Sequence, residues 1–233
     1  MKHLSIRDLV LTLPISLALL FAPILATPDS QAAGGGGFPS AGSGTPQSDR
    51  TPEERARSAY NSGLRAKKKA WKYEKKAVEA DTEKARAKLL AKAEKQYHKA
   101  IKSQRRAFKL DPRLFQALNE LGYAFRKTGD YENAMAAYNT ALKMKPDYLE
   151  AIEYRAEALM ALGYYDETKK AYMHLFRRNE KLADQLMQAM QSWVKQRNGS
   201  LDEKQKPFAD WVTERGALLG QSQNLSMNNQ RKW

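Results

Sequence analysis

The chain has 233 residues, 42% of them hydrophobic and 28% charged, with a formal net charge of +14 and no cysteine. That apolar content is enough to bury the core of one or two domains. The missing thiols exclude disulfides, thiolate zinc fingers, cysteine nucleophiles and cysteine-linked lipid anchors.

Lys2 and Arg7 precede an apolar run from Leu9 to Leu25, and small and polar residues follow as far as Gln31-Ala32-Ala33. Residues 1–33 therefore have the layout of a secretory signal, read as cleaved, with an uncleaved membrane anchor as the alternative. Pro14 and Pro23 interrupt the run, which at 17 residues is shorter than the roughly 20 that span a bilayer as a helix. An exported protein, periplasmic or secreted, is the expectation. Residues 34–50, with Gly34 to Gly37, Pro39 and Pro46, have little to bury and read as a flexible linker.

From Thr51 onward the pattern is helical. Thr51-Pro52-Glu53-Glu54 supplies a cap, a proline at the first position and a glutamate at the third, and helix formers continue to about Ala80. Asp81 is placed to cap a second helix ending at Leu110. At a rise of about 1.5 Å per residue each helix is on the order of 40 Å long, so residues 51–114 form an elongated, protruding hairpin. Residues 50–110 hold 20 Lys or Arg against 7 Asp or Glu, which is nearly the whole charge excess. Lys67, Lys68, Lys69, Lys72, Lys75 and Lys76 crowd into three turns near Trp71 and Tyr73 and form a basic patch. Either a solvated face or an electrostatic contact with phospholipid, acidic polysaccharide or an acidic protein accounts for it. The charge also suits nucleic acid, but the export signal argues against that partner.

The next segment repeats. At a shift of 34 residues Tyr97 matches Tyr131, Ala100 matches Ala134, Ala107 matches Ala141 and Pro112 matches Pro146; Gly129, Tyr131 and Tyr138 then match Gly163, Tyr165 and Tyr172. Small residues at Gly122, Ala134 and Ala141 let two helices approach, and Gly129 suits the left-handed residue that ends a helix. Asp130 is placed to cap the helix after it, and Asp147 with Glu150 has capping-box spacing. With Leu121-Gly122, Phe125, Gly129, Tyr131, Ala134, Tyr138, Ala141 and Pro146, this stretch resembles the tetratricopeptide repeat family. The resemblance implies an all-α fold of about three helical hairpins: the elongated first one, a full repeat at 115–148 and a degenerate one at 149–182. In the last, Arg155, Thr168, Leu175 and Glu180 depart from the family's preferences, as expected where an array ends.

Leu182 to Arg197 has Leu186, Met190, Trp193 and Val194 on one face. Ser200 and Glu203 have capping-box spacing before a last helix that packs Phe208, Trp211 and Val212. Residues 183–220 read as capping helices that cover the final repeat, and the polar segment 221–233 as a disordered tail.

In the family the first helix of each hairpin lines a concave groove. Carried over to this sequence, the groove positions include Tyr60 and Lys67 from the first unit, Asn119, Tyr123 and Arg126 from the second, and Glu150, Glu153 and Glu157 from the third. The resemblance thus implies a scaffold that binds a protein or peptide, with the basic hairpin as a second contact. The three glutamates share one helix face, so solvation explains them as well as binding does. Catalysis has little support: His98 and His174 stand alone, no metal-ligand spacing or nucleophile motif occurs, and no cofactor is implied.

Overall fold

The structure is a computed structural model that describes residues 50–197 and 199–230, with side chains as far as Gln221. The expected signal peptide and linker lie outside the described residues, apart from Arg50. Eight helices follow one another: α1 Pro52–Val78, α2 Glu83–Leu110, α3 Phe115–Lys127, α4 Tyr131–Met144, α5 Leu149–Ala161, α6 Tyr165–Phe176, α7 Glu180–Gln196 and α8 Lys206–Gln230. There is no strand among the described residues. Each helix packs on the next, and α1 touches α3 while α3 touches α5, the stacking of a hairpin array.

Alanine and glycine set the spacing within the first hairpin. Ala56, Ala59, Gly63, Ala66, Ala70 and Ala77 line one face of α1 and are all buried against α2. With no bulk on that face, Gln104 reaches across and donates its amide to the carbonyl of Tyr60 at 3.2 Å. The two helices have 27 and 28 residues against 13 in α3. Because Lys127, the last residue of α3, pairs with Glu74 of α1, the hairpin beyond that level runs past the end of α3. Val78 near its tip is exposed.

The 34-residue pattern is the packing pattern. Ala100, Ala107, Ala134 and Ala141 are each no more than 2% exposed, as are Tyr97, Tyr138 and Tyr172. Gly129 and Gly163 have φ of 79° and 84°, where a side chain is strained, and each ends the first helix of its unit. Asp130 accepts the backbone N–H of Asn133 at 3.2 Å as expected, and Thr51 with Glu54 forms a reciprocal capping box.

Other boundaries differ from the sequence reading. Thr82 rather than Asp81 caps α2, because Thr82 takes the extended backbone and its hydroxyl accepts from Ala85, the third residue of the helix. Asp147 and Glu150 form no capping box: α5 starts after Tyr148, and Asp147 turns away to Lys145 at 3.0 Å. The seventh helix begins at Glu180, two residues ahead of Leu182, because the Asn179 side chain accepts from the N–H of Leu182. Nor do Ser200 and Glu203 pair. The Asp202 carboxylate instead takes the N–H groups of Lys204 and Gln205 at 2.9 and 2.8 Å and turns the chain into α8.

A second core closes the array. Leu186, Met190 and Trp193 of α7 meet Phe208 and Val212 of α8, and the Phe208 ring stacks on Tyr165 with centroids 4.8 Å apart. The backbone of α8 continues through 221–230, the segment expected as a tail; residues 231–233 lie outside the described residues. No described helix is long and apolar enough to cross a membrane.

Candidate binding surface

One helix from each of three successive hairpins, α1, α3 and α5, contributes side chains to a shared network. Tyr123 of α3 lies at its centre. Its hydroxyl accepts the indole N–H of Trp71 from α1 at 2.7 Å, and its ring is 5.0 Å from that of Tyr154 on α5. Burial pushes the Tyr123 phenol well above its ordinary range, so it stays a neutral member of this chain.

Ion pairs flank the aromatic ladder. Lys67 meets Glu120 at 2.5 Å and lies 5.0 Å from the ring centres of both Trp71 and Tyr123. Two helical turns further on, Glu74 meets Lys127 at 2.8 Å. On the other side, Arg126 donates to Glu157 at 2.6 Å, with its guanidinium 5.2 Å from the Tyr123 ring and 5.8 Å from Tyr154. Arg126 and Glu157 are 8% and 7% exposed, so this is a charge pair withdrawn from water. Burial opposes the charge on Arg126, but the fields of Glu157 and the neighbouring tyrosines outweigh it and the guanidinium stays protonated. Glu153 is buried beside the pair, and burial followed by the repulsion of Glu157 raises its carboxyl far above the usual range.

The eight groove residues implied by the resemblance thus fall into two groups. Asn119, Tyr123, Arg126, Glu153 and Glu157 are buried, and Lys67 is tied into the network. Only Tyr60, half-buried, and Glu150, exposed, retain substantial access. The Tyr60 phenol is pushed up to about 12 by burial and then by Glu120. Asn119 reaches the Tyr148 hydroxyl at 3.5 Å. Solvation, which serves for Glu150, fails for Glu153 and Glu157, because Arg126 of the neighbouring hairpin faces them.

Lys67 also leaves the basic patch. Lys68, Lys69, Lys72, Lys75 and Lys76 remain exposed, and none forms an ion pair among the described residues. Sequence reasoning missed Glu74, Glu120, Lys127 and Tyr154. A signal was available for three of them: Lys67 and Glu74 on α1, and Glu120 and Lys127 on α3, are seven residues apart with opposite order of charge, the spacing of one face of a helix.

Comparison with known families decides what this architecture is. A TPR repeat model matches residues 122–163, and a second, described as a tetratricopeptide repeat, matches residues 86–114. The chain is a tetratricopeptide-repeat protein. The matched segments cover α2 and the run from the middle of α3 into the turn after α5, where the 34-residue period is clearest. Among solved structures, the first TPR of Spaghetti (RPAP3) bound to the HSP90 peptide SRMEEVD is 16% identical, covering 68% of this chain and 95% of its own, with a TM-score of 0.36. A search of curated proteins found no match. Tetratricopeptide arrays are scaffolds for protein–protein interaction, and this tetratricopeptide-repeat protein has the hairpin stack of such a scaffold.

Proposed function

We propose that the protein is an exported adaptor, not an enzyme, that binds a protein or peptide along the accessible edge of α1, α3 and α5. The observation that carries this reading is the cross-helix network, which locks three first helices into one preorganised surface and leaves Tyr60, Gln116 and Glu150 at its edge. A preorganised surface loses little entropy on binding. Its exposed charge runs from Arg57 on α1 to Glu150 on α5, which suits an extended segment with an acidic and a basic end. Export rests on the N-terminal signal. With Tyr60→Ala and Glu150→Lys combined, a partner captured on the parent protein should lose roughly 2 kcal/mol or more, about thirtyfold, while the melting temperature stays near the parent's. Unchanged affinity sinks the groove assignment.

The five exposed lysines favour a second reading, an electrostatic contact between the hairpin and an anionic envelope surface. Lysines near such a surface contribute about 1 kcal/mol each, so Lys68, Lys69 and Lys72 changed together to Gln should weaken binding to vesicles with anionic lipid about a hundredfold. The parent's binding should fall steeply with salt. Binding that ignores both salt and these substitutions rules the surface contact out.

A further inference from the structure

Towards its base, the first hairpin holds a cavity of about 190 Å³ between α1 and α2, which extends up α1 to Arg65, about one turn short of Lys68 and Lys69. Arg55 and Arg65 of α1, Arg106 of α2 and Arg50 just before α1 form its cationic walls. Ser58 and Ser62 on α1 and Ser103 on α2 contribute hydroxyls, and Ala59 is the one apolar residue of the lining. No carboxylate is part of it. None of the four arginines forms an ion pair among the described residues. The Nε–H of Arg55 is shielded from solvent and has no hydrogen-bond partner among the described residues.

Four like charges around one small cavity repel one another, and a shielded donor without an acceptor adds a desolvation cost. A single multivalent anion would relieve both. From this arrangement we propose that the hairpin base binds a phosphate group, as inorganic phosphate or a small phosphate monoester. Guanidinium forks match the oxygens of a phosphate, and serine hydroxyls donate to those that remain. The donors outnumber what the two oxygens of a carboxylate can accept. The cavity is smaller than the roughly 300 Å³ at which pockets for drug-sized ligands begin, so the phosphate and a short ester stub fit where a nucleotide does not.

The test is calorimetric titration of the full chain with inorganic phosphate, glycerol 3-phosphate and acetate at matched ionic strength. Phosphate should bind and acetate should not, and binding should tighten between about pH 5 and pH 7.5 as the dianion forms. Tighter binding of glycerol 3-phosphate than of phosphate identifies an ester as the ligand, and the reverse identifies the free ion. Arg55→Gln with Arg106→Gln should weaken phosphate binding about tenfold or more, while Lys75→Gln with Lys76→Gln, more than two helical turns beyond Arg65, changes it less than about twofold. Without phosphate the arginine double variant should melt no lower than the parent, since repulsion has been removed. Ser58→Ala with Ser62→Ala gives an independent reading, a loss of about threefold or more in phosphate affinity. No phosphate binding, equal binding of acetate, or equal losses in the arginine and lysine variants overturns the proposal.

Discussion

Arg126→Ala should cost about 3–5 kcal/mol of folding stability, because it leaves the buried Glu157 carboxylate without its cation. The pair is 2.6 Å apart and nearly solvent-free, and Glu153 lies beside it with a carboxyl already raised by burial. The loss should depend on pH. A carboxyl whose folded pKa lies above its unfolded value binds more protons in the native state, so its contribution is greatest below the ordinary carboxylate range and falls as pH rises. Removing Arg126 strengthens that trend, and urea unfolding should show a larger deficit at pH 7 than at pH 4. Arg126→Met with Glu157→Leu should recover most of the stability, since exchanging both partners for apolar groups leaves no orphaned charge. If Arg126→Ala unfolds at the parent's urea midpoint, the pair carries no structural weight.

Gly122→Ala should destabilise by about 1–3 kcal/mol, although alanine is the better helix former by about 1 kcal/mol. A Cβ at position 122 would be 2.6 Å from the ring of Tyr138, which is fully buried and belongs to the helix that α3 packs against. The ring has nowhere to move. Gly63→Ala is the comparison: its Cβ meets the side-chain amide of Gln104, the flexible end of a longer side chain, and the penalty should be smaller. Gly129→Ala meets no neighbouring atom and should lose only about 1 kcal/mol, through the φ of 79°. Thermal melts of the three variants check the ranking, and a Gly122→Ala variant as stable as Gly129→Ala contradicts the close approach of α3 and α4.

The repeats were legible because small residues and tyrosines recur where two helices must touch, and that need is local and periodic. Gly129, Asp130, Ala134 and Tyr138 each play the part their spacing announces. The long hairpin was legible too, from uninterrupted helix formers between one cap and the next. Cap identity was less so: Asp81 and Thr82 are both good caps, and only the backbone angles select between them. The network between α1, α3 and α5 was harder to read for a different reason. Lys67 looks like one lysine of six until Glu120, 53 positions away, comes within 2.5 Å of it. Glu153 and Glu157 likewise read equally well as a solvated stripe or as binding residues until Arg126 arrives from the preceding hairpin. Position within a repeat says which way a side chain faces, but not whether a neighbouring repeat has already engaged it.

Site-specific photo-crosslinking tests the central claim most directly. With a photoreactive amino acid in place of Tyr60 or Glu150, in cells that express the protein, both positions should capture the same partner. The same reagent in place of Glu132 or Thr140, exposed on α4 and outside the network of α1, α3 and α5, should capture none of it. Adducts from α4 with none from positions 60 and 150 would contradict the account.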